Sequence, residues 1–197
     1  MMSLYAEAIA LVRDLLDKAD AAGEPEPTAM TLATADAHGR VSARIVLLKR
    51  LDERGFVFYT NYNSAKAAQL GPHQSAALCI LWKMLRDKVQ VRVEGAVEQT
   101  SAEESDAYFA SRDRASQIGA WASLQSQTLA SRAQLDARIA QFEGEFAGKP
   151  VPRPAHWGGY RLVPDMIEIW YGQRARLHER VRYECVNGDW QKRMLYP

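Results

Sequence analysis

The chain has 197 residues, of which 47% are hydrophobic and 25% are charged, and its formal net charge is +1. This length predicts about one domain, and the composition supports a buried core and excludes a chain that is disordered throughout. The near-neutral charge argues against general attraction to nucleic acid or to a membrane surface. We therefore expect neither partner, and any site for an anion must be local.

Cysteine content and the N-terminal pattern limit the compartment and the site chemistry. Cys79 and Cys185 are too few for a disulfide framework or a cysteine-based zinc site. The apolar residues of the N-terminal segment are interrupted by charged ones, which is typical of neither a signal peptide nor a membrane span. We expect a soluble protein of the cytoplasm.

Helical and strand periodicities alternate through the first half of the chain. Apolar residues three or four apart, from Tyr5 to Leu16, predict an N-terminal helix that ends at Gly23 and a proline-containing linker. Turn residues then separate several predicted strands, which suggests successive hairpins. The predicted strands span residues 30–35, 41–50, 56–60, 76–82 and 89–99, and a short helix spans residues 64–70.

The middle of the chain is predicted to be helical. Ser101 and Glu104 have the spacing of a capping box, so we expect a helix to start there. Tyr108 and Arg112 are four residues apart, which places them on one face of that helix. After a short break, helices are predicted over residues 116–124 and then through an apolar stripe, which favours core packing. The stripe consists of Leu135, Ile139, Phe142 and Phe146.

Strand patterns return after a stiff linker at residues 148–154. Asn187 and Gly188 form a strong hairpin signal, because both residues tolerate positive φ. Strands joined by short turns, with helices gathered in the middle, predict a mainly β fold with packed helices (α+β) built on an antiparallel barrel. The predicted C-terminal strands span residues 157–163, 166–171, 170–182 and 189–195.

The segment from Trp170 to Arg182 carries basic residues at alternate positions. An extended strand here would place all of them on one face. Such a row of like charges is tolerated on a solvated edge strand or opposite anions that it binds. Arginine favours binding, because its guanidinium group pairs with phosphate and carboxylate oxygens. The row consists of Arg174, Arg176, His178, Arg180 and Arg182.

Motifs of the common phosphate and metal sites are absent from the sequence. Neither GxGxxG nor GxxxxGK[ST] occurs, so a bound phosphate must be held by side chains and not by a glycine loop. Neither HExxH nor a pair of CxxC motifs occurs, and we expect no metal.

Several short motifs occur in a fixed order along the chain. They are RIVLLK, FYTN with Ser64 and Lys66, QVRVEG, YFASR, SQIGAWAS, LQSQ, WGGYR and RLHER. In this combination the chain resembles the pyridoxine/pyridoxamine 5'-phosphate oxidase family of FMN enzymes, from about Glu26 to the C-terminus. The resemblance implies a split β-barrel and a homodimer with two FMN molecules at the subunit interface.

The same resemblance implies that residues 1–197 form one flavin-binding split-barrel domain. Its expected parts are an N-terminal helix and linker at 1–25, the barrel core at 26–100, a helical segment at 101–148, and C-terminal strands at 155–197 that complete the substrate site and the dimer.

Flavin contacts are implied at fourteen positions of the chain. By similarity, Arg44, Lys66 and Ser126 surround the FMN phosphate and ribityl chain, with Gln125 beside them. Gln90 is chosen as the flavin glutamine from the VRVEG that follows it, with Lys88 as the alternative register. The full set is Arg44, Ile45, Val46, Leu47, Leu48, Lys49, Tyr59, Thr60, Lys66, Gln90, Gln125, Ser126, Trp170 and Arg180.

Substrate contacts implied by the resemblance fall into two groups. Two cations and two hydroxyl donors, from Lys49, Tyr108, Arg112 and Ser116, would hold the substrate phosphate. Arg176 and His178 would lie over the pyridine ring and act as the catalytic pair.

The implied reaction oxidises pyridoxine 5'-phosphate or pyridoxamine 5'-phosphate to pyridoxal 5'-phosphate. Hydride passes from the substrate C4' carbon to flavin N5, and oxygen then reoxidises the flavin to give hydrogen peroxide. The amine substrate also releases ammonia.

Two alternatives share the barrel. The phenazine-pathway flavin oxidases have the RLH motif but typically lack the lysine of RIVLLK and the Tyr-Phe-x-Ser-Arg segment, both of which this chain keeps. A non-catalytic carrier of flavin or pyridoxal phosphate is the other, since a fold does not fix a function. Retention of Arg176 and His178 argues against a carrier.

Overall fold

The computed structural model describes residues 2–73 and 75–197, apart from the side chains of residues 72 and 73. The helices are α1 (Leu4–Ala21), α2 (Ala65–His73), α3 (Ala102–Ser111), α4 (Arg114–Ala122) and α5 (Arg132–Glu145). The strands are β1 (Ala29–Ala35), β2 (Val41–Leu47), β3 (Arg50–Asp52), β4 (Gly55–Asn61), β5 (Ser75–Trp82), β6 (Val89–Gln99), β7 (Trp157–Tyr171), β8 (Glu179–Val186) and β9 (Asp189–Leu195).

All described strands belong to one curled sheet in which every pair is antiparallel. Its main path runs β2-β1-β5-β6-β7-β4-β3, and β8 and β9 extend it from β7. The helical segment packs beside one end of β7, and α1 packs against β3, β8 and β9. The predicted fold class, an antiparallel split barrel with packed helices, is confirmed.

The sheet divides along β7, its longest strand. β6 pairs with β7 over residues 160–171 of β7. In contrast, β4 pairs only with residues 157–162 of β7, and β8 pairs only with residues 166–171. Between these halves, the β6 register shifts at Gly95. A Cβ at Gly95 would lie 2.1 Å from the carbonyl oxygen of Val163, so the bulge needs glycine. The two ends of β7 therefore belong to different parts of the molecule.

Two apolar clusters stabilise the fold. The larger fills the barrel and includes the inner face of α1, where Ile9 and Val12 are buried as the helical spacing predicted. The smaller joins Phe109, Ile118 and Phe146 to Trp157 of β7, with Ile139 and Phe142 of α5 packed on it. Core packing of that stripe is thus confirmed for Ile139, Phe142 and Phe146.

The predicted basic strand over residues 170–182 is wrong. β7 ends at Tyr171 and β8 begins at Glu179, and because the two are antiparallel neighbours the chain must reverse between them. The reversal contains a 3₁₀ turn at Arg174–Arg176, with φ of 55° at Ala175 and 62° at Arg176. Arg174 and Arg176 therefore do not share a strand face with Arg180. The alternation of basic residues in the sequence could not reveal this turn, because the turn is imposed by the pairing of β7 with β8.

Two smaller boundaries also differ from the sequence prediction. The strand predicted over residues 41–50 is interrupted at Leu48 and Lys49, which lie between β2 and β3. α3 ends at Ser111, and Arg112 follows it in an extended conformation instead of sharing a helical face with Tyr108. Asp113 then caps α4, so Arg112 lies in the short connection between α3 and α4.

A buried arginine ties the helical segment to the barrel. Arg161 on β7 is 1% exposed and donates to Asp52 at 2.8 Å and to Glu104 at 3.0 Å. Glu104 also completes the capping box of α3 with Ser101. One carboxylate thus both starts the helix that carries Tyr108 and fixes it on the sheet.

We expect Glu104→Ala to lower the free energy of unfolding by about 2 to 4 kcal/mol, because it removes a cap and leaves a buried cation with one partner fewer. Urea titration at fixed protein concentration measures this change. The control is Glu103→Ala, one residue earlier on the exposed face, which should leave the unfolding midpoint nearly unchanged. Equal losses in the two variants would show that the buried ion pair contributes little.

Candidate active site

A cavity of about 440 Å³ lies between the barrel and the helical segment. It is lined by the end of β2, by β4 and by α4, with contributions from α2, α3 and the start of β7. Eleven of the predicted site residues line it: Ile45, Val46, Leu47, Lys49, Tyr59, Thr60, Lys66, Tyr108, Arg112, Ser116 and Gln125. The remaining lining residues are Asn61, Gly119, Ala120, Ser123 and Trp157.

The cavity wall carries positive charge. Lys49, Lys66 and Arg112 line it, and none of the described lining residues is a carboxylate. Within the described chain, no ion pair joins these three side chains or the adjacent Arg44 to an acidic residue. Arg44, Lys66 and Arg112 are partly buried, whereas Lys49 is exposed. Partly buried cations without acidic partners are stabilised by an anion, so the wall is suited to an anionic ligand.

One end of the cavity is organised around Lys66. Its ammonium group donates to Thr60 at 3.0 Å, to Ser64 at 3.3 Å and to Gln125 at 2.9 Å. Burial, together with the charge of Arg44, lowers the pKa of Lys66. An anion placed here would counter both effects, because it stabilises the charged form of each cation.

Arg44 is fixed behind this end by residues that the sequence did not single out. Its guanidinium donates to Thr34 and, at 3.1 Å, to Gln69. Gln69 in turn donates to Ser42 at 3.1 Å. Burial lowers the pKa of Arg44. No local motif marks Thr34 and Gln69, since they meet Arg44 only through the packing of β1, β2 and α2.

The other end of the cavity is formed by stacked aromatic rings and Arg112. The rings of Tyr59 and Tyr108 lie 3.9 Å apart, and Trp157 stacks on Tyr59 at 5.6 Å. The guanidinium of Arg112 lies 4.6 Å from the centroid of the Trp157 ring, a cation-π distance. Its Nη1 is buried with no hydrogen-bond partner among the described residues, and burial lowers its pKa. This unsatisfied donor indicates a missing acceptor.

Ser116 and Gln125 mark the two ends of the cavity along α4. Ser116 lies in the first turn of the helix, and Gln125 follows its last turn. The helical part between them, from Ser116 to Ala122, spans about 9 Å at 1.5 Å per residue. The Lys66 end and the Arg112 end are thus two distinct cationic positions in one cavity.

Ser126 and Leu48 lie next to the cavity without lining it. Ser126 has φ of 73°, and its hydroxyl accepts from the backbone N–H of Ala65, the first residue of α2. Leu48 is 4% exposed and belongs to the barrel core. Its predicted flavin contact could therefore come only from its backbone.

Five predicted residues form a second group on the outer face of the sheet. Gln90, Trp170 and Arg180 are directly opposite one another across β6, β7 and β8. The His178 ring lies 4.4 Å from that of Trp170. Arg176 is exposed in the preceding turn. None of the five lines the cavity.

The sheet keeps the two groups apart within one chain. Trp157, in the cavity, and Trp170, in the second group, are thirteen positions apart on β7, which is roughly 40 Å of extended strand. A single chain therefore does not bring Arg176 and His178 to the cavity.

Among the described residues, no group of three or more histidine, cysteine, aspartate or glutamate side chains could hold a metal ion. His156 contacts the carbonyl oxygen of Ala120. The side chain of His73 lies outside the described residues. No described helix has the length and hydropathy of a membrane span.

Comparison with known proteins identifies the family. A family model described as pyridoxamine 5'-phosphate oxidase matches residues 16–145, and one described as the pyridoxine 5'-phosphate oxidase C-terminal dimerisation region matches residues 157–197. A pyridoxine/pyridoxamine 5'-phosphate oxidase of Xanthomonas oryzae pv. oryzae is 59% identical over 100% of both chains. One from Myxococcus xanthus is 54% identical over 93% of this chain and 88% of that protein.

The chain belongs to the pyridoxamine 5'-phosphate oxidase family. The family resemblance predicted from the sequence is thereby confirmed. So is the predicted enzyme class, an oxidoreductase of vitamin B6 metabolism.

Solved structures agree with the fold. PhzG from Burkholderia lata 383, solved with tetrahydrophenazine-1-carboxylic acid, is 33% identical, with a TM-score of 0.90 over 96% of this chain and 92% of that one. An FMN-binding protein from Nostoc punctiforme related to the oxidase family is 17% identical, with a TM-score of 0.74 over 100% of both chains. The second likeness concerns the fold alone.

Two positions near the predicted flavin contacts differ in their surroundings. Ala65 begins α2 beside Ser126 and Lys66. Gln90 lies on β6 opposite Trp170, whereas Lys88 lies in the turn before β6 with φ of 97°. The choice of Gln90 as the flavin glutamine stays a prediction.

We expect inorganic phosphate to raise the thermal unfolding midpoint of the protein, because an anion that binds the folded cavity stabilises it by mass action. The increase should be smaller in Arg112→Met, which removes the unpartnered donor. Arg132→Met is the control, since that guanidinium pairs with Asp136 on an exposed face of α5. Differential scanning fluorimetry measures the three shifts. Equal shifts in all three proteins would place the anion elsewhere.

Proposed function

We propose that the protein oxidises pyridoxine 5'-phosphate and pyridoxamine 5'-phosphate to pyridoxal 5'-phosphate, with FMN as cofactor and oxygen as electron acceptor. The observation that carries this proposal is the cavity with two cationic ends. Two phosphorylated aromatic molecules, a flavin mononucleotide and a B6 vitamer, need two such positions and an apolar region between them. The names of the curated relatives support the same substrates.

FMN fits the Lys66 end by the chemistry of its donors. Lys66 and Arg44 supply charge, and Thr60, Gln125 and Ser126 supply polar contacts beside them. This set replaces the glycine-rich loop that the chain lacks. When bound, FMN supplies a ring that accepts a hydride and passes electrons to oxygen.

The substrate phosphate fits the Arg112 end. Arg112 offers the buried Nη1 donor, and Tyr108 and Ser116 add hydroxyl groups to the same wall. Lys49 lines the cavity as a further cation. These residues bind the phosphate and thereby fix the distance of the vitamer ring from the cofactor, which is the main protein contribution to such a reaction.

We further infer that two copies of the chain build each site. The predicted partners Trp170, Arg176, His178 and Arg180 lie far from the cavity of their own chain, so a second copy must supply them. The family description of residues 157–197 as a dimerisation region supports this arrangement. Ile45 lines the cavity and is 63% exposed, which provides an apolar rim for the partner.

Within such a site, Arg176 and His178 of the second copy orient the vitamer ring. Arg176 can hold the ring against the cofactor, and His178 can hydrogen-bond its polar substituents. His178 is itself positioned, since its Nδ1 accepts from the backbone N–H of Gln173 at 3.2 Å and its ring packs on Trp170. Good orientation of the reacting carbon is worth orders of magnitude in rate.

The phenazine-pathway alternative has the similar fold of the Burkholderia protein in its favour. Against it, the chain keeps the lysine of RIVLLK and the Tyr-Phe-x-Ser-Arg segment, which those oxidases typically lack, and Lys49, Tyr108 and Arg112 from these motifs all line the cavity. We therefore retain the vitamin B6 proposal.

Aerobic turnover tests the proposed activity directly. Purified protein loaded with FMN should produce hydrogen peroxide steadily after addition of pyridoxine 5'-phosphate, with pyridoxal 5'-phosphate appearing in equal amount. Unphosphorylated pyridoxine is the control and should react far more slowly, because the Arg112 end then has no anion to bind. A single turnover without further peroxide would instead indicate a carrier.

Mixing two inactive variants tests the shared site. Arg112→Ala damages the cavity, and Arg176→Ala damages the second group. After subunit exchange of equal amounts, half of the dimers are mixed and each has one intact site, so about a quarter of wild-type activity should return at low substrate concentration. Mixtures with the double variant Arg112→Ala/Arg176→Ala are the control and should regain nothing. Absence of recovery after verified exchange would place both groups in one chain's site.

A further inference from the structure

A buried carboxylate lies beside the second group of site residues and belongs to none of the predicted contacts. Glu168 on β7 is 2% exposed, although its side chain lies on the outer face of the sheet. The register places it directly between Arg92 of β6 and Arg182 of β8. The adjacent row on the same face consists of Gln90, Trp170 and Arg180.

Glu168 binds arginines with both of its oxygens. Oε1 accepts from Nε and Nη2 of Arg180 at 3.0 and 2.8 Å, and Oε2 accepts from Nε and Nη2 of Arg182 at 3.1 and 2.8 Å. Arg92 approaches Oε2 to 3.8 Å. Burial by itself raises the pKa of Glu168, but the hydrogen bonds from both arginines bring it below its ordinary value. The carboxylate is therefore ionised.

These contacts hold the guanidinium group of Arg180 in place without using all of its N–H donors. Its five N–H donors include the two held by Glu168 and one that Nη1 gives to the carbonyl oxygen of Tyr196 at 3.0 Å. The described contacts therefore use three of the five. A guanidinium held on one side and open on the other is prepared to bind a further acceptor.

From these contacts, and resting on the proposed function, we infer that Glu168 is a positioning residue that holds Arg180 of one copy against the flavin bound in the cavity of the other. A purely structural ion pair would not need this arrangement, because a buried ion pair contributes little more to stability than well-packed apolar residues. Apolar residues in place of the ion pair could pack as well, but they could not orient the guanidinium group of Arg180.

The role of Glu168 is tested by measuring the FMN dissociation constant of the apoprotein. We expect Glu168→Gln, which keeps the shape of the side chain, to raise the FMN dissociation constant at least tenfold, as loss of supporting contacts behind a ligand-binding group commonly does. The matched control is Glu184→Gln. Glu184 on β8 pairs with Arg182 of the same strand and with Arg193 of β9, and it has no ion pair with Arg180. The FMN dissociation constant of this variant should therefore stay within twofold of wild type. Thermal unfolding and dimer content of each variant establish that it is folded.

A double-mutant cycle separates positioning from general structure. If Glu168 acts through Arg180, then Glu168→Gln should weaken FMN binding strongly in the wild-type background and hardly at all in Arg180→Met. A merely structural carboxylate would cause the same loss in both backgrounds, and that result would overturn the inference. Unchanged FMN affinity in Glu168→Gln, or in Arg180→Met, would also overturn it.

The outcome for the proposed function is read from the wild-type protein in the same experiment. Failure of the wild type to bind FMN or to form peroxide would reject the function itself, whereas a normal wild type with an additive cycle would reject only the assignment of Glu168. Should Glu168→Gln fail to fold, Glu168→Asp serves the same cycle. That variant keeps the charge, and we expect its side chain, one methylene group shorter, to hold Arg180 less firmly.

Discussion

The rest of the structure depends on the pairing of β7, which has β6 on one edge and two different strands, β4 and β8, along the other edge. Its first half pairs with β4 and carries the cavity wall, and its second half pairs with β8 and carries Trp170 and Glu168. Because an extended strand cannot fold back on itself, residues at its two ends cannot meet in one chain. The division of the sheet thus separates the cavity from the group around Trp170, and this separation is the basis of the proposal that a second copy completes each site.

Charge pairing distinguishes the arginines that stabilise the fold from those available to a ligand. Arg161 is held by Asp52 and Glu104, and Arg182 is held by Glu168. In contrast, the cavity cations have no ion pair with a described carboxylate, and Arg112 has a buried donor without a partner. Desolvated charge is costly, so such a cluster is suited to an anionic ligand. This electrostatic difference, more than the shape of the cavity, supports the proposed site.

Sequence reasoning succeeded where the determining interactions are local. The capping box at Ser101 and the Asn187-Gly188 turn depend on contacts within a few residues, and both are present. It failed at residues 174–178, where alternation suggested a strand but antiparallel pairing requires a reversal. Gln69, Trp157 and Glu168 were missed as supporting residues for a related reason. Each acts on a residue distant in sequence, and nothing in its own neighbourhood shows this.

By itself, the sequence determined the fold class, the absence of a glycine-rich phosphate loop and, through its ordered motifs, the family and most of the cavity wall. These properties follow from local propensity and from residue identity. Only the tertiary structure decided which predicted residues share a cavity, which cations lack acidic partners, and which residues stand on the far side of the sheet. Those properties depend on strand order and register, which bring together residues that are remote along the chain and separate residues on one strand.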